Sequence, residues 1–275
     1  MQLQNVLRLY EEGFRDFTGL SLVGVDFGAR ILVDINFSGS DLTGANLSRA
    51  FLTDANFTDA NLSRTNLQFA KLSGACFSGA TLTKANLQGA FAIRSDMTKL
   101  SASGANMSHI NLRDAKLNKA NLSGVNLIGA NLRNADLSAA NLAWTTMRGV
   151  RLIGGAIAKT IFTGTKLNKA FLNGLNFDDM SLSGVDFSEA RLRGASFRRA
   201  DLTATSFREA SLENSNFKWA QLAGADFDHA HLHHAKFDQA DLRRVNLNQP
   251  NWKEADLLGA YLQELGLVQM RMASA

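Results

Sequence analysis

Three groups of side chains in this sequence are of types that could carry out chemistry. Four of the five histidines are clustered, and imidazoles at this density can bind a metal ion: His229, His231, His233 and His234. The one cysteine, Cys76, could act as a nucleophile through its thiolate. The segment GGAIAKT at 154–160 has glycine and lysine residues like those of a phosphate-binding loop. The elements that position these groups decide whether any of them is a site.

A period of five residues runs through nearly the whole chain. Every fifth residue from Phe17 to Leu267 is large and apolar, except Ala92 and Ala102. A small residue, most often alanine, lies two positions before each large one. The period fits neither a helix nor a flat strand. It predicts an extended segment that turns a corner after every five residues, with two side chains facing inward and three facing water.

The repeated motif is A(D/N)LXX, which occurs at 45–49, 60–64, 85–89, 130–134, 135–139 and 240–244, and at 225–229 with Phe for Leu. This motif resembles the pentapeptide-repeat family, and the resemblance covers essentially the whole chain after residue 16. It implies an all-β fold, a right-handed quadrilateral β-helix with four pentads and twenty residues per coil. Stacking about twelve to thirteen coils at the interstrand spacing of about 4.8 Å would give a rod of about 60 Å.

The phenylalanines test the number of sides independently of the family. Phenylalanine occupies every second large position from Phe177 to Phe237. A coil of twenty residues places these rings in columns on two opposite sides, whereas a coil of fifteen would scatter them over three. The spacing therefore favours four sides.

The chain is predicted to form one domain with covered ends. Residues 1–16 contain apolar residues at helical spacing and are expected to form an N-terminal capping helix. The solenoid spans 17–267, and 268–275 is an apolar tail that either caps the last coil or forms a homodimer contact. A local distortion is expected between residues 90 and 103, where large and small inward residues exchange places.

A convex rod without loop insertions offers no concave pocket in which a nucleophile, a base and a stabilising group could converge. Cys76 falls at an outward position of the repeat. The segment at 154–160 is one residue shorter than a phosphate loop and has Ala158 where a glycine precedes the lysine. No acidic or cysteine ligand completes an obvious set with the histidines. We therefore predict that the protein is not an enzyme and has no cofactor and no functional metal site.

Charge and hydropathy restrict the location. The net charge is +4, a mild excess, and no stretch of about 18 apolar residues could span a membrane. Charged residues in the opening segment, including Arg8, Glu11 and Glu12, argue against a signal peptide. We expect a cytoplasmic, bacterial protein, either monomeric or a dimer through its C-terminal end.

An outer face is the expected place of function. The four sides are numbered by the pentads that contain Leu42, Leu47, Leu52 and Phe57. The third side combines outward aromatic and aliphatic residues with bases, a composition typical of interface cores. Its predicted partner-binding residues are Ile31, Phe51, Lys71, Phe91, Arg151, Phe171 and Arg191 before the large residue, and Ile93, Arg113, Arg133 and Arg193 after it. The expected partner is a protein that the sequence does not identify.

Two other functions are alternatives. Some members of the family bind type II topoisomerases by displaying an acidic rod that imitates DNA, but no side of this chain is consistently acidic. Weak nucleic-acid binding through a basic row on the fourth side is the other alternative, although aspartates interrupt the row, and we expect no nucleic acid as partner. The opening LRLYEEGFRDFTGLSL is similar to the start of several cyanobacterial members, one of which regulates heterocyst differentiation, and the resemblance implies a role in binding proteins. That resemblance favours the protein-binding role.

Overall fold

The five-residue repeat forms a right-handed quadrilateral β-helix in which each pentad supplies one side of a coil. The structure, a computed structural model, describes residues 3–261. Parallel bridges join residues twenty positions apart, from Asp16 with Asn36 to Asp241 with Tyr261. Each pentad contributes one bridged residue rather than a longer strand. The predicted coil of four pentads is confirmed.

The corners explain the residue preferences of the outward positions. The N–H of Ala45 donates to the carbonyl oxygen of Leu42 at 2.9 Å and closes a four-residue turn. The third residue of this turn, Gly44, has φ +68°, as a type II turn requires. The side chain of the next polar residue, Asn46, accepts a hydrogen bond at 3.1 Å from the N–H of Ser48. Glycine and asparagine therefore recur because the corner uses their backbone freedom and their side-chain acceptor.

The core is a stack of apolar layers along the axis of the rod. The large inward residue and the small one two positions before it are both buried in nearly every pentad. Rings of Phe177, Phe197, Phe217 and Phe237 stack in one column at centroid distances of 4.9, 5.0 and 4.8 Å. A second column from Phe187 to Phe227 meets these rings edge to face. The two opposite columns are those that the phenylalanine spacing predicts.

The N-terminal helix is shorter than the predicted range of 1–16. Helix α1 spans Leu3–Glu11 and buries Val6 against the first coil. It ends because Gly13 adopts φ +99°, which closes the last turn. The N–H of Gly13 donates to the carbonyl oxygen of Tyr10, and the N–H of Phe14 donates to the carbonyl oxygen of Leu9. Residues after this turn already enter the first pentad, since Asp16 is bridged.

Helix α1 covers the N-terminal end of the solenoid, and the structure describes the C-terminal end as far as Tyr261. The Tyr10 hydroxyl donates to the carbonyl oxygen of Val33 at 3.0 Å and anchors α1 over the first coil. Arg30, at an inward position of the repeat, is exposed beside α1. At the other end Tyr261 is bridged to Asp241 and its side chain is exposed. The predicted tail at 268–275 lies outside the described residues.

The prediction of a local distortion at residues 90–103 is wrong, because the coils there are regular. Bridges run without a gap through Lys71, Phe91 and Asn111 on the third side. Leu100 and Ala102, which exchange the large and small positions, are both fully buried. The swap keeps the inward volume nearly constant, so the coil stays regular.

Replacing Phe207 by alanine should lower the free energy of unfolding by about 3–5 kcal/mol, because it opens a cavity between two stacked rings. Phe51→Ala, at an outward position, should cost much less. Denaturant unfolding followed by circular dichroism measures both. Equal losses for the two variants would contradict the stacked core.

Candidate protein-binding surfaces

On the third side, residues at the same outward position of successive coils lie in a straight column. Parallel bridges join Ile31 to Phe51, Phe51 to Lys71 and Lys71 to Phe91. The side chains of Ile31, Phe51 and Phe91 are exposed, with 45% of Phe51 and 40% of Phe91 open to solvent. The Nζ atom of Lys71 lies 3.6 Å from the centroid of the Phe91 ring, a cation–π contact. We call these four residues, Ile31, Phe51, Lys71 and Phe91, the N-terminal patch.

Phe171 lies further along the same side between two arginines. The guanidinium of Arg191 is 4.6 Å from the ring centroid of Phe171, and that of Arg151 is 5.7 Å away. These two cations cover part of the ring, which is half-buried. The column therefore shows a guanidinium-flanked ring here rather than a bare aromatic surface. Asn111 and Asn131 separate this group from the N-terminal patch, so the structure divides the predicted face into two parts.

The other predicted residues flank these two parts. Arg133 and Arg193 are exposed, and Ile93 is half-buried beside Phe91. Arg113 is exposed but paired with Asp114, with 3.2 Å between Nε and Oδ2. All eleven predicted positions share the third side, and each points away from the core.

Sequence reasoning missed exposed aromatic residues at the corners of other sides. Trp144 is the most exposed, with 71% of its surface open, and its indole lies over Gly164, where a Cβ would come within 2.4 Å of the ring. Phe69 and Trp219 are 45% and 46% exposed. Each occupies the third position of a turn and has φ near +60°. A large residue at this position has little of the rod to pack against, so a bulky side chain in the place of the corner glycine is the signal for an exposed aromatic group.

The ladder between coils opens at one place that the sequence did not indicate. Among the described residues, no bridge joins Ala156 to Asn176 or Ile161 to Ser181, although both coils are bridged on their other faces. A cleft of about 550 Å³ lies between segments 155–160 and 176–181. It spans the fourth side and reaches the first. The N–H groups that face it in the first segment have no hydrogen-bond partner in the described chain.

Bulky inward residues lie in the coil that follows the opening. Leu175 and Met180 occupy consecutive positions that alanine usually fills, and both precede full-sized inward residues. Such bulk does not by itself open the ladder, because Ile35 and Ile110 also precede full-sized inward residues and their coils stay bridged. The sequence therefore carries no signal that locates the cleft.

The walls of the cleft do not fit a phosphate bound at residues 154–160. Asp178 and Asp179 line its opposite wall, facing the segment that contains Lys159. The Asp178 carboxylate on that wall repels an anion, whereas that of Asp179 is paired with Arg199. Cys76 is half-buried, and its Sγ lies 3.2 Å from the Thr58 hydroxyl oxygen, which cannot act as the base that a nucleophilic thiol needs.

Two bases of the fourth side's basic row, Arg199 and Lys218, are paired with carboxylates within the protein. Arg199 makes a bidentate pair with Asp179, with Nε–Oδ1 and Nη2–Oδ2 distances of 2.6 and 2.8 Å. Lys218 pairs with Asp238 at 3.1 Å. The Arg199 hydrogen bond lowers the pKa of Asp179 despite some desolvation. Cations that are already paired with carboxylates neutralise few phosphates and therefore displace few counterions from a nucleic acid.

The comparisons with known proteins identify the class. The description "Pentapeptide repeats (8 copies)" matches residues 21–59, 43–79, 60–98, 75–114 and 115–154, and "Pentapeptide repeat region" matches 157–227 and 192–267. Together with the twenty-residue coil, these matches show that the chain belongs to the pentapeptide-repeat family. No curated protein sequence matches this chain. Among the described residues, no helix has the length and apolarity needed to cross a bilayer.

A solved structure supports the same fold. HetL, a pentapeptide repeat protein involved in heterocyst differentiation regulation from the cyanobacterium Nostoc sp. strain PCC 7120, is 21% identical with a TM-score of 0.56, over 96% of this chain and 98% of its own. QnrB1, a plasmid-mediated fluoroquinolone resistance protein, is 17% identical over 94% of each chain, with a TM-score of 0.27. A pentapeptide repeat protein from Cyanothece 51142 is 26% identical over 57% of this chain and 97% of its own, with a TM-score of 0.19. Only the likeness to HetL supports the fold, and the other two carry no inference.

Amide hydrogen exchange should detect the open ladder. The N–H groups of Ile157, Lys159, Phe162 and Gly164 should exchange about tenfold to a hundredfold faster than those one coil earlier, the ratio expected for a missing hydrogen bond worth about 1–3 kcal/mol. The matched amides are Leu137, Ala139, Leu142 and Trp144, which donate to carbonyl oxygens at 2.8–2.9 Å. Equal protection of the two sets would mean that the ladder is closed in solution.

The Asp179–Arg199 pair should stabilise the fold only while the carboxylate is charged. Because the folded-state pKa of Asp179 is lowered, its contribution is present above the ordinary carboxyl pKa and disappears as the pH falls through the lowered value. Asp179→Asn should therefore lower the melting temperature slightly at pH 7 and leave it unchanged in strong acid. Thermal melts from neutral pH to about pH 2 measure the difference.

Arg199→Gln removes the same interaction from the other partner. A double variant should lose no more stability than either single variant, since both changes break one pair. Additive losses would show that the two residues act separately.

Proposed function

We propose that this protein is a non-catalytic interaction module that presents the third side of its solenoid to a protein partner. The observation that carries the proposal is the N-terminal patch, where exposed Phe51 and Phe91 flank Lys71 on one straight face. Aromatic and cationic side chains are enriched among residues that dominate binding energy at interfaces. The ladder of coil-to-coil hydrogen bonds holds this patch in a fixed shape. Binding would therefore cost little ordering of the backbone.

Phe171 and its two arginines supply a second contact group on the same face. From Phe91 to Phe171 the chain advances four coils, which corresponds to about 19 Å at the spacing of stacked strands. A partner that touched both parts would span a length typical of one side of a standard interface. The exposed bases beside them, Arg133 and Arg193, favour a partner surface with some acidic residues.

Imitation of DNA fits this chain less well. A DNA mimic needs a continuous acidic face, and the third side carries more bases than acids. The low TM-score with QnrB1 gives no support to that function. Direct nucleic-acid binding through the fourth side is also disfavoured. Two of its cations, Arg199 and Lys218, already form ion pairs with aspartates. Cytoplasmic location, bacterial origin and the choice between a monomer and a C-terminal dimer stay predictions.

Affinity capture from a bacterial lysate tests the proposed face. A Phe51→Ser, Phe91→Ser, Phe171→Ser variant removes the aromatic groups of the third side. We expect the native chain to capture a protein that the variant loses, because truncating aromatic anchors costs about 2 kcal/mol or more each at an interface. Mass spectrometry of the captured proteins measures the difference.

The control removes exposed aromatics from other faces. A Phe69→Ser, Trp144→Ser, Trp219→Ser variant changes the same number of rings, and Phe69 has the same exposed fraction as Phe51. This variant should capture the same partner as the native chain, and both variants should keep the native circular dichroism. Loss of the partner only from the control would place the interface elsewhere, and capture of a topoisomerase by all three would favour DNA mimicry.

A further inference from the structure

Two histidines and a glutamate meet near the C-terminal end of the described solenoid. One candidate ligand atom from each of His233, His234 and Glu254 lies within 4.8 Å of those of the other two. The histidines belong to one coil and Glu254 to the next, twenty residues after His234. We propose that these three side chains form a zinc-binding site that joins the two coils.

The present distances fit tetrahedral zinc with small side-chain rotations. The Nε2 atom of His234 lies 3.2 Å from Oε2 of Glu254. With zinc bonds of about 2.0–2.1 Å to nitrogen and oxygen, two ligand atoms of a tetrahedral site lie about 3.3–3.4 Å apart. The His234–Glu254 pair is thus already near one edge of the tetrahedron. The imidazole rings of His233 and His234 have centroids 3.9 Å apart, so the third ligand candidate lies beside this pair.

A backbone carbonyl orients one of the rings. Nδ1 of His233 lies 2.9 Å from the carbonyl oxygen of Lys253, which precedes Glu254. In the tautomer that donates this bond, Nε2 of His233 keeps its lone pair for a metal. Metal-binding histidines commonly have such a second partner, which fixes the ring and its tautomer.

The surroundings leave room for a further ligand. A cavity of about 410 Å³ lies beside His234 and Glu254 and is lined by Asn214, His234, Lys236, Glu254 and Asp256. Two histidines and one glutamate are a known zinc ligand set, with water or another ligand at the fourth position. Asp256 and Lys236 bring opposite charges to the cavity, so their effects on a bound cation partly cancel.

A metal here would add a bond between coils that backbone hydrogen bonds and the histidine contacts already join. On either side of Glu254 the N–H of Asn251 donates to Ala230 and that of Asp256 donates to Ala235, both at 2.9 Å. Zinc held by both coils would oppose opening of this part of the stack, because it binds the closed state better than the open one. The site would thus stabilise the C-terminal coils of the solenoid.

Zinc titration of the full-length, tag-free protein against a chromophoric chelator tests the proposal. We expect one equivalent of zinc to bind, and His233→Ala and Glu254→Gln each to weaken the affinity by at least about tenfold. His229→Ala is the matched control, because His229 lies 2.7 Å from Asp228 at another corner and is outside the group of three. All variants should have the circular dichroism of the native chain without metal.

Hydrogen exchange provides a second readout that depends on the joining of two coils. Zinc at about one hundred times its dissociation constant should slow exchange of the Asn251 and Asp256 amides by up to about a hundredfold, and should not do so in Glu254→Gln. Unchanged affinity in His233→Ala and Glu254→Gln would overturn the proposal. So would an equal loss in His229→Ala, since zinc would then bind the histidine-rich segment nonspecifically.

Discussion

The hydrogen bonds between successive coils are the constraint on which the rest of this structure depends. The N–H of Leu42 donates to the carbonyl oxygen of Asn61 at 2.8 Å, and the same connection recurs along the rod. Because these bonds fix the coil at twenty residues, each side chain lies directly beside those twenty positions before and after it. A shift of one residue would turn large apolar side chains outward, so the register is strongly specified.

This alignment makes contacts between residues twenty positions apart the unit of both stability and surface chemistry. The contacts differ in type but share that separation: Asn46 with Asn66, Phe177 with Phe197, Lys71 with Phe91, Asp179 with Arg199, and His234 with Glu254. Inside the rod the column gives stacked rings, and outside it gives ladders, ion pairs and cation–π contacts. The same rule places the hypothesised interface in a straight column and brings a glutamate to the histidine cluster.

The opening at residues 155–181 shows that the ladder can break inside a regular repeat. Leu175 and Met180 add bulk at the small position of the coil beyond the opening, but Ile110 does the same in a coil that stays bridged. The hydrogen bonds of two sides are lost at the opening. Exposed Ile161 borders it, with Trp144 one coil earlier. Within residues 3–261, a rod that is otherwise continuous therefore contains one segment whose backbone is accessible.

The sequence by itself determined the fold, because a five-residue period of large and small residues can be buried only by a coil whose corners repeat at that period. The alternation of phenylalanine from Phe177 to Phe237 also determined four sides, and hence which outward residues share a face. The sequence did not determine how Lys71 and Arg191 cover neighbouring rings, which residue completes the histidine group, or where the ladder opens. These depend on side-chain reach and on packing between coils, so only the tertiary structure decided them.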